Sequence, residues 1–471
     1  MVSFNLVIKL KHITLSIGNL ALIDKLDAQF QYFLRVFSGI GGRAKNIVPT
    51  TKLLIYNRLE ECFSINRILH GYDSELFNQL KFETIPSDRS LYRDLVRIGK
   101  NYMFILERHQ HFLKEECLLT NTQFMDFSSS YHEGKGEALG EYGYSRDNQP
   151  GKKQITFGIS TGINGIPSAL TIQKGNVQDK EHFRFMVKTC EAILEENCLL
   201  VFDCGGNTKE NKRLVRDRKF HYLTFKPKKV GPYKILIEQF KTGTKENVII
   251  NDIGYACVKI KNNDETVYIF FSDKLKQEQL EAKGRKFEKE LKKNEILLNK
   301  TKTGKNLGEY ITEEGIILAK GVLQKTLEKS KNYRINGLEG FFILESSLNM
   351  TEERALALYK DKDKAEKLFR NIKEGTEIRP IRHWSKEAII GYILVIFLTN
   401  FIVNLTLLRT RNPVVKNLKL LKKSLSKLTL VIIQSDSGFK HHLLANFSED
   451  IHAILDNFPE IYGRNTIPLA W

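Results

Sequence analysis

The sequence lacks any cysteine pattern that would mark a metal centre or a disulfide framework. Its six cysteines are scattered, with no CxxC pair and no Cys/His spacing of the kind that holds zinc. It also contains no visible internal repeat and no low-complexity tract. The cysteine pattern therefore suggests neither a zinc site nor a disulfide framework, and we expect the cysteines to be reduced in the cytosol.

A secretory signal is not expected, because Lys9 and Lys11 interrupt the apolar N-terminal residues and no convincing cleavage site follows. Residues 388–408 form the one long run without a charge, and this run is long enough to cross a bilayer. A fully buried helix of a large α/β core is apolar all round as well. Taken alone, the run fits either a membrane span or a core helix.

Length and charge indicate a basic globular protein of two or three domains. The chain has 471 residues, of which 42% are hydrophobic, and its formal net charge is +18. Such an excess of positive charge attracts the phosphate backbone of nucleic acid, although anionic membrane surfaces attract the same charge. Acidic side chains kept at particular positions in such a protein suggest binding of divalent cations.

The pattern of apolar residues divides the chain into five segments. Residues 1–115 read as mostly helical. Residues 116–226 follow the order β-β-β-α-β-(α)-β, which predicts a mixed sheet with flanking helices, and the same pattern resumes in residues 337–412. Residues 227–336 read as a β-rich insertion with a charged helix, and residues 413–471 as a helical tail.

Two groups of basic residues are candidates for DNA contacts. Arg89, Arg93 and Arg97 recur at steps of four, which fits a helix-turn-helix-like DNA reader and equally a solvated helix of a small bundle. The basic residues of the insertion form either a backbone-binding surface or a solvated helix face. They are Lys283, Arg285, Lys286, Lys292, Lys293, Lys300, Lys302 and Lys305.

Two aspartates follow apolar runs that read as strands. Asp126 is followed, after one phenylalanine, by three serines, and Asp203 is followed, after Cys204, by Gly205 and Gly206. We expect both aspartates where a strand leaves its sheet, which is where open α/β sheets bind ligands. A lone aspartate at such a position is as commonly a turn former or a helix cap.

Glu366 lies in a predicted long helix rich in charged residues. Helical periodicity places Tyr359, Lys362 and Lys373 on the same face as Glu366, with Arg370 nearby. A solvent-exposed face with ion pairs at steps of four gives the same pattern.

These residues, and the blocks around them, resemble bacterial and archaeal insertion-sequence transposases of the DDE class, which have an RNase H-like core. One group of that class bears the signature Y-x2-R-x3-E-x6-K, which reads here Tyr359-x2-Lys362-x3-Glu366-x6-Lys373, with lysine in place of the usual arginine. The further matching blocks, which together cover roughly residues 120–408, are MDFSS, GYSRDNQPGKKQITFGI, NGIPSALTIQKGNVQD, LLVFDCGGNTKEN, YRINGLEGFFILES and RPIRHWSKEAIIGYILVIFLTNFI.

The resemblance implies a fold: an α/β, RNase H-like mixed sheet with flanking helices. A β-rich insertion would interrupt this catalytic core, and a helical N-terminal domain that binds DNA ends would precede it. The family also has a hydrophobic core helix where residues 388–408 lie, which favours the core helix over the membrane span.

The resemblance also implies an activity, namely metal-dependent DNA strand cleavage and strand transfer in cut-and-paste transposition. Two Mg²⁺ ions, with Mn²⁺ as a substitute, would serve the reaction. The implied catalytic and metal-binding residues are Asp126, Asp203 and Glu366, with Asp126 bridging both ions and the other two holding one each. The implied DNA-contacting residues are Tyr359, Lys362, Arg370 and Lys373.

The implied partners are double-stranded DNA, as terminal inverted repeats and as target, and a second copy of the chain in a synaptic homodimer. The implied location is cytoplasmic and nucleoid-associated. Two other hypotheses stay open. One is an inactive DNA-binding relic of a transposase, suggested by Lys362 and by Cys204 directly after Asp203, and the other is a protein anchored in a membrane through residues 388–408.

Overall fold

The computed structural model describes residues 11–40, 47–134, 139–262, 264–302, 335–410, 415–434, 440–456 and 467–468. Lys305, part of the predicted basic surface, lies outside these residues. The strands are β1 Lys11–Ser16, β2 Thr122–Tyr131, β3 Gln154–Gly162, β4 Pro167–Lys174, β5 Leu199–Phe202, β6 His221–Phe225, β7 Glu246–Ile250, β8 Ile253–Asn262, β9 Glu265–Phe271, β10 Phe341–Ser346, β11 Thr429–Gln434, β12 Lys440–Ala445 and β13 Ile467–Pro468.

Helices precede, separate and follow groups of these strands, so the chain is a mixed α/β protein. They are α1 Gly18–Phe30, α2 Tyr32–Phe37, α3 Ile47–Leu59, α4 Ile65–Gly71, α5 Ser74–Gln79, α6 Asp88–Lys100, α7 Tyr102–Glu115, α8 Asp179–Glu191, α9 Lys209–Asp217, α10 Val230–Thr242, α11 Asp273–Lys302, α12 Glu352–Asp361, α13 Asp363–Arg370, α14 Lys386–Arg409, α15 Leu418–Leu425 and α16 Glu449–Leu455. A π-helical turn, Asn371–Gly375, follows α13.

The chain folds into two compact units. The first comprises Met1–Val201, Thr208–Phe220 and Asp361–Trp471, and the second comprises Phe202–Asn207 and His221–Lys360. Each unit is described by itself below.

The first unit contains two groups of paired strands. One has the order β4-β3-β2-β5, in which β2, β3 and β4 are antiparallel neighbours. The other has the order β1-β11-β12-β13 and joins a strand near the start of the chain to strands near its end. The prediction of a helical tail over residues 413–471 is therefore wrong for part of the tail. The run TLVIIQ is β-branched and aliphatic, and it pairs with β1 as β11.

The long uncharged run forms α14, which is buried in the first unit. Its length and composition alone would allow a membrane span, but 83% of its most apolar window is buried among the residues described. Helices α6 and α14 cross with their backbones in contact at two glycines. A Cβ atom added to Gly99 would lie 1.8 Å from the carbonyl oxygen of Glu387, and one added to Gly391 would lie 2.2 Å from the carbonyl oxygen of Leu95. This burial favours the core-helix interpretation.

Helix α6 carries the arginines that the sequence singled out. Ser87 and Ser90 form a capping box at its start, and its apolar series is buried. Arg89 and Arg93 are exposed, whereas Arg97 forms an ion pair with Asp94 at 3.4 Å. One face of α6 thus packs on the core while another presents two arginines to solvent.

The second unit is built on strands in the order β6-β10-β9-β8-β7, whose neighbours are all antiparallel. The predicted hairpin joins β8 to β9, with Asn262 opposite Glu265 and residue 263 outside the described part. The predicted charged helix is α11, and its Lys283 pairs with Glu339 at 2.5 Å. Tyr233, Ile269 and Ile343 lie in the hydrophobic core of this unit.

Candidate active site

Asp126 lies in the middle of β2 and not where the strand leaves its sheet. It pairs with Ile159 across the ladder, and its carboxylate accepts a hydrogen bond from the backbone of Phe127 at 2.9 Å. The prediction of a strand exit is wrong because the three serines that follow continue the strand. Ser128, Ser129 and Ser130 are all buried and paired with β3.

Asp203 directly follows the last residue of β5, as predicted. The backbone amide of Gly206 closes a turn onto its carbonyl oxygen at 3.1 Å. The hydroxyl of Tyr359 donates a hydrogen bond to Asp203 Oδ1 at 3.1 Å, although the two residues are 156 positions apart. The ring of Tyr359 rests against Phe225, with 5.8 Å between the centroids. The second unit thus joins one predicted acid to the first residue of the signature.

The helix that carries the signature is interrupted. Helix α12 begins after Thr351, whose hydroxyl accepts a hydrogen bond from the backbone of Arg354 at 3.3 Å, and it ends at Asp361. Lys362 forms a turn, α13 follows, and the π-helical turn comes next. The prediction of one continuous helix is therefore wrong. The rotation of 100° per residue that placed Lys373 on the same face as Glu366 does not apply through the π-helical turn.

Lys362 lies between two of the predicted acids in the first unit. Its Nζ is 3.8 Å from Asp126 Oδ1 and 3.6 Å from Glu366 Oε1. The side chain of Lys362 is only 3% exposed, whereas that of Asp126 is 19% exposed and that of Glu366 58%. Because both oxygens contact one ammonium nitrogen, folding has brought together two carboxylates from distant parts of the sequence.

Lys373 and Arg370 have different surroundings. Lys373 Nζ pairs with Asp147 Oδ1 at 2.7 Å, and Arg379 Nη1 contacts the same oxygen at 3.0 Å. The side chain of Asp147 is only 1% exposed. Arg370 is exposed and lines a cleft. The contacts of both residues with DNA stay predictions, and the ammonium of Lys373 already has a buried partner.

Reasoning from the sequence missed two acids whose buried side chains pair with basic residues. Asp147 stands in the block GYSRDNQPGKKQITFGI and Glu345 in GFFILES, so the signal was present in the matching blocks. Glu345 is 3% exposed, pairs with Lys226 and accepts a hydrogen bond from Asn207 Nδ2 at 2.9 Å. Its contact with Asn207 ties β10 to the turn that begins at Asp203.

The donor set fits a divalent cation in part. Asp126 and Glu366 present hard carboxylate oxygens to one cationic position, which the ammonium of Lys362 takes. Among the residues that the structure describes, no group of three or more His, Cys, Asp or Glu side chains is arranged to hold a metal ion. The first unit therefore offers two carboxylate ligands, and Asp203 belongs to the other unit.

Comparison with known proteins assigns no family. No family model matches the sequence, and no curated protein matches it. Among solved structures, a cryo-EM structure of a piggyBac transposase synaptic complex with hairpin DNA is similar, with a TM-score of 0.41 and 9% sequence identity. The similar region covers 88% of this chain and 80% of that one. This similarity alone establishes neither the fold nor the function.

Proposed function

We propose that this chain is a transposase of the DDE class. In this proposal an RNase H-like core, interrupted by a β-rich insertion, cleaves double-stranded DNA at the ends of a mobile element and joins the freed 3′ ends to target DNA. The observation that carries it is a pair of contacts. Tyr359 of the signature touches Asp203, and Lys362 of the signature touches Asp126.

These contacts are not what a solvated helix face produces. Such a face makes exposed ion pairs between neighbours three or four residues apart on the helix. Lys362 makes one pair of that kind, with Glu366, but it also reaches Asp126 on a distant strand, and its side chain is buried. The residues that the resemblance selected therefore belong to long-range contacts, which supports a common role.

The roles of the side chains follow from charge. Bound divalent ions would stabilise the charge that develops on the attacking and leaving oxygens of a phosphodiester, and Asp126, Asp203 and Glu366 would hold them. In this proposal the buried ammonium of Lys362 balances the charge of Asp126 and Glu366 before DNA binds, and its positive charge would favour a phosphate near the two acids. Tyr359 orients the Asp203 carboxylate through its hydroxyl.

The test is cleavage of a duplex that carries the inverted repeats flanking the coding region, with Mg²⁺ or Mn²⁺ present. Asp126→Asn, Asp203→Asn and Glu366→Gln should each abolish cleavage while DNA binding is retained, because removing an anion does not weaken attraction for phosphate. Glu353→Gln, which changes an exposed acid on α12, is the matched control and should cleave normally.

Two outcomes would contradict the proposal. Full cleavage by any one of the three acid variants would remove that acid from the site. A wild-type chain that binds the repeats but never cuts them would instead support the alternative of an inactive DNA-binding relic.

A further inference from the structure

A basic cleft of about 1040 Å³ opens in the first unit beside α13 and α15. Two carboxylates, those of Glu374 and Glu377, and six cationic side chains line it. The cationic residues are Lys364, Lys367, Arg370, Lys416, Lys419 and Lys422. The lining therefore carries a clear excess of positive charge.

Three of the six cations have carboxylate or carbonyl partners already. Lys364 pairs with Asp361 at 3.2 Å, Lys367 pairs with Asp363 at 2.7 Å, and Lys422 donates to the carbonyl oxygens of Arg58 and Gly375. These contacts fix part of the wall, and the ion pairs of Lys364 and Lys367 reduce its charge.

The other three cations give the cleft its positive potential. Arg370, Lys416 and Lys419 are exposed, and within the described part of the chain no carboxylate lies within ion-pair distance of them. Charges of one sign that face a common concavity raise the local concentration of an anionic ligand. The cleft thus has three cations available for a polyanion.

The start of α15 adds to this potential. Asn417 caps the helix by accepting a hydrogen bond from the backbone of Leu420 at 3.0 Å, and the first helical residues, Leu418 and Lys419, line the cleft. The N-terminal end of a helix carries partial positive charge from its unpaired amides. Asn371 also lines the cleft and supplies an amide donor that suits phosphate oxygens.

We propose that this cleft binds the sugar-phosphate backbone of the DNA duplex that the enzyme cuts, next to the cleaved bond. The inference rests on the proposed function, since α13 carries both Glu366 and three of the cleft's cations. Arg370 follows Glu366 by one helical turn, about 6 Å along the axis, whereas successive phosphates of one strand rise about 3.4 Å along a duplex. A strand held at Glu366 therefore has further phosphates within reach of Arg370.

The test compares two triple variants that remove the same charge. The cleft variant is Arg370→Gln with Lys416→Gln and Lys419→Gln. The control is Lys180→Gln with Lys188→Gln and Arg216→Gln, three exposed cations on α8 and α9 of the same unit. Fluorescence anisotropy with an element-end duplex over a series of salt concentrations gives the affinity and its salt dependence.

We expect the cleft variant to bind at least about tenfold more weakly at low salt, with the slope of log affinity against log salt reduced by about 2 to 3, because each lost phosphate contact removes about 0.9 from that slope. The control should keep the wild-type slope. Equal slopes for the two triple variants would overturn the proposal. The proposal would also be overturned if the cleft variant lost binding to duplex RNA but kept binding to duplex DNA of the same sequence.

The outcomes separate this inference from the proposed function. If the wild type never cleaves but the cleft variant alone loses DNA binding, the cleft stands and the enzyme assignment fails. If the wild type cleaves and the cleft variant binds and cleaves as the control does, the cleft inference fails alone. Matching thermal unfolding curves for all three proteins would show that the exposed substitutions leave the fold intact.

Discussion

Lys362 Nζ lies 3.8 Å from Asp126 Oδ1, which joins a turn before α13 to the middle of β2. The same ammonium is 3.6 Å from Glu366 Oε1. A cation held between two carboxylates repels a second cation that approaches them. The lysine that stands where the transposase signature has arginine thus influences how strongly the two acids attract a metal ion.

We expect Lys362→Met to increase the binding of divalent cations to the first unit. The measurement is the rise in melting temperature on addition of Mn²⁺, which grows with the affinity of the folded state. Lys362→Arg keeps the charge and is the matched control, so its response should equal that of the wild type. An equal rise in all three proteins would mean that Lys362 does not compete with the metal.

Asp147→Asn should destabilise the first unit. The substitution leaves the ammonium of Lys373 and the guanidinium of Arg379 close together without their shared carboxylate. Breaking a buried ion pair from one side commonly costs about 3 to 5 kcal/mol. Because the Arg379 side chain is 32% exposed, we expect a smaller loss here, about 2 kcal/mol in the free energy of unfolding, measured in urea.

The control for Asp147 is Glu374→Gln. Glu374 also approaches Arg379, at 4.0 Å, but its side chain is 64% exposed. Exposed pairs contribute little, so the free energy of unfolding should change by less than about 0.5 kcal/mol. If both substitutions had the same effect, the burial of Asp147 would not matter.

Two buried histidines, His109 and His182, and the partly buried His383 should make the first unit sensitive to acid. Burial lowers the pKa of His109 and of His383 to about 4, and that of His182 to about 3. Below about pH 6.5 these histidines bind protons in the unfolded chain but stay neutral in the folded chain. The free energy of unfolding therefore falls as the pH falls toward the pKa values of the folded state. Each histidine contributes at most about 1.4 kcal/mol per pH unit.

His182→Gln tests this origin of the acid sensitivity. His182 shares a hydrogen bond with the hydroxyl of Thr171 at 2.8 Å, and glutamine keeps a polar group there without a titrating ring. Urea unfolding between about pH 6 and about pH 4.5 should show a shallower dependence in the variant, by about 1 kcal/mol per pH unit. An unchanged slope would exclude His182 as a source.

The local elements were largely predictable from the sequence, because they depend on short-range patterns. The apolar and β-branched runs predicted the strands from β3 to β10. The length and composition of residues 388–408 fitted a membrane span or a core helix, and only the resemblance favoured the buried helix that the structure has. Two features defeated the same reasoning. The serines after Asp126 look like a turn yet continue β2, and the helix that carries Glu366 breaks at Lys362.

For the candidate site, the sequence predicted which residues form it but not the contacts that these residues make. No periodicity links Asp126 to Lys362 or Asp147 to Lys373, because each pair is made by the tertiary fold and not within one element. The resemblance selected Asp126, Lys362 and Lys373, but it did not indicate that Lys373 is held by a buried aspartate. The tertiary fold brings Asp147, in the loop before β3, next to Lys373 in the π-helical turn, and no sequence pattern indicates this contact.

Tyr359→Phe separates two roles that the sequence left open for this tyrosine, orienting an acid and stacking on DNA. Phenylalanine keeps the ring against Phe225 and removes only the hydroxyl that donates to Asp203. If the hydroxyl positions the acid, metal-dependent cleavage should fall about tenfold or more, while affinity for DNA stays unchanged, because a misplaced ligand impairs the reaction more than binding.

Tyr359→Ala removes the ring as well, and loss of base stacking would weaken DNA binding by about 1 to 3 kcal/mol. Tyr255→Phe is the control, because it deletes a hydroxyl that binds Lys360 at 2.8 Å in the same unit, and it should leave cleavage intact. Full activity in Tyr359→Phe together with weak binding in Tyr359→Ala would assign the tyrosine to DNA stacking and leave Asp203 to be positioned by its turn. Loss of cleavage in Tyr359→Phe, with cleavage kept in Tyr255→Phe, would assign the tyrosine to the acid, because Tyr359→Phe removes the hydroxyl that donates to Asp203 and the control keeps it.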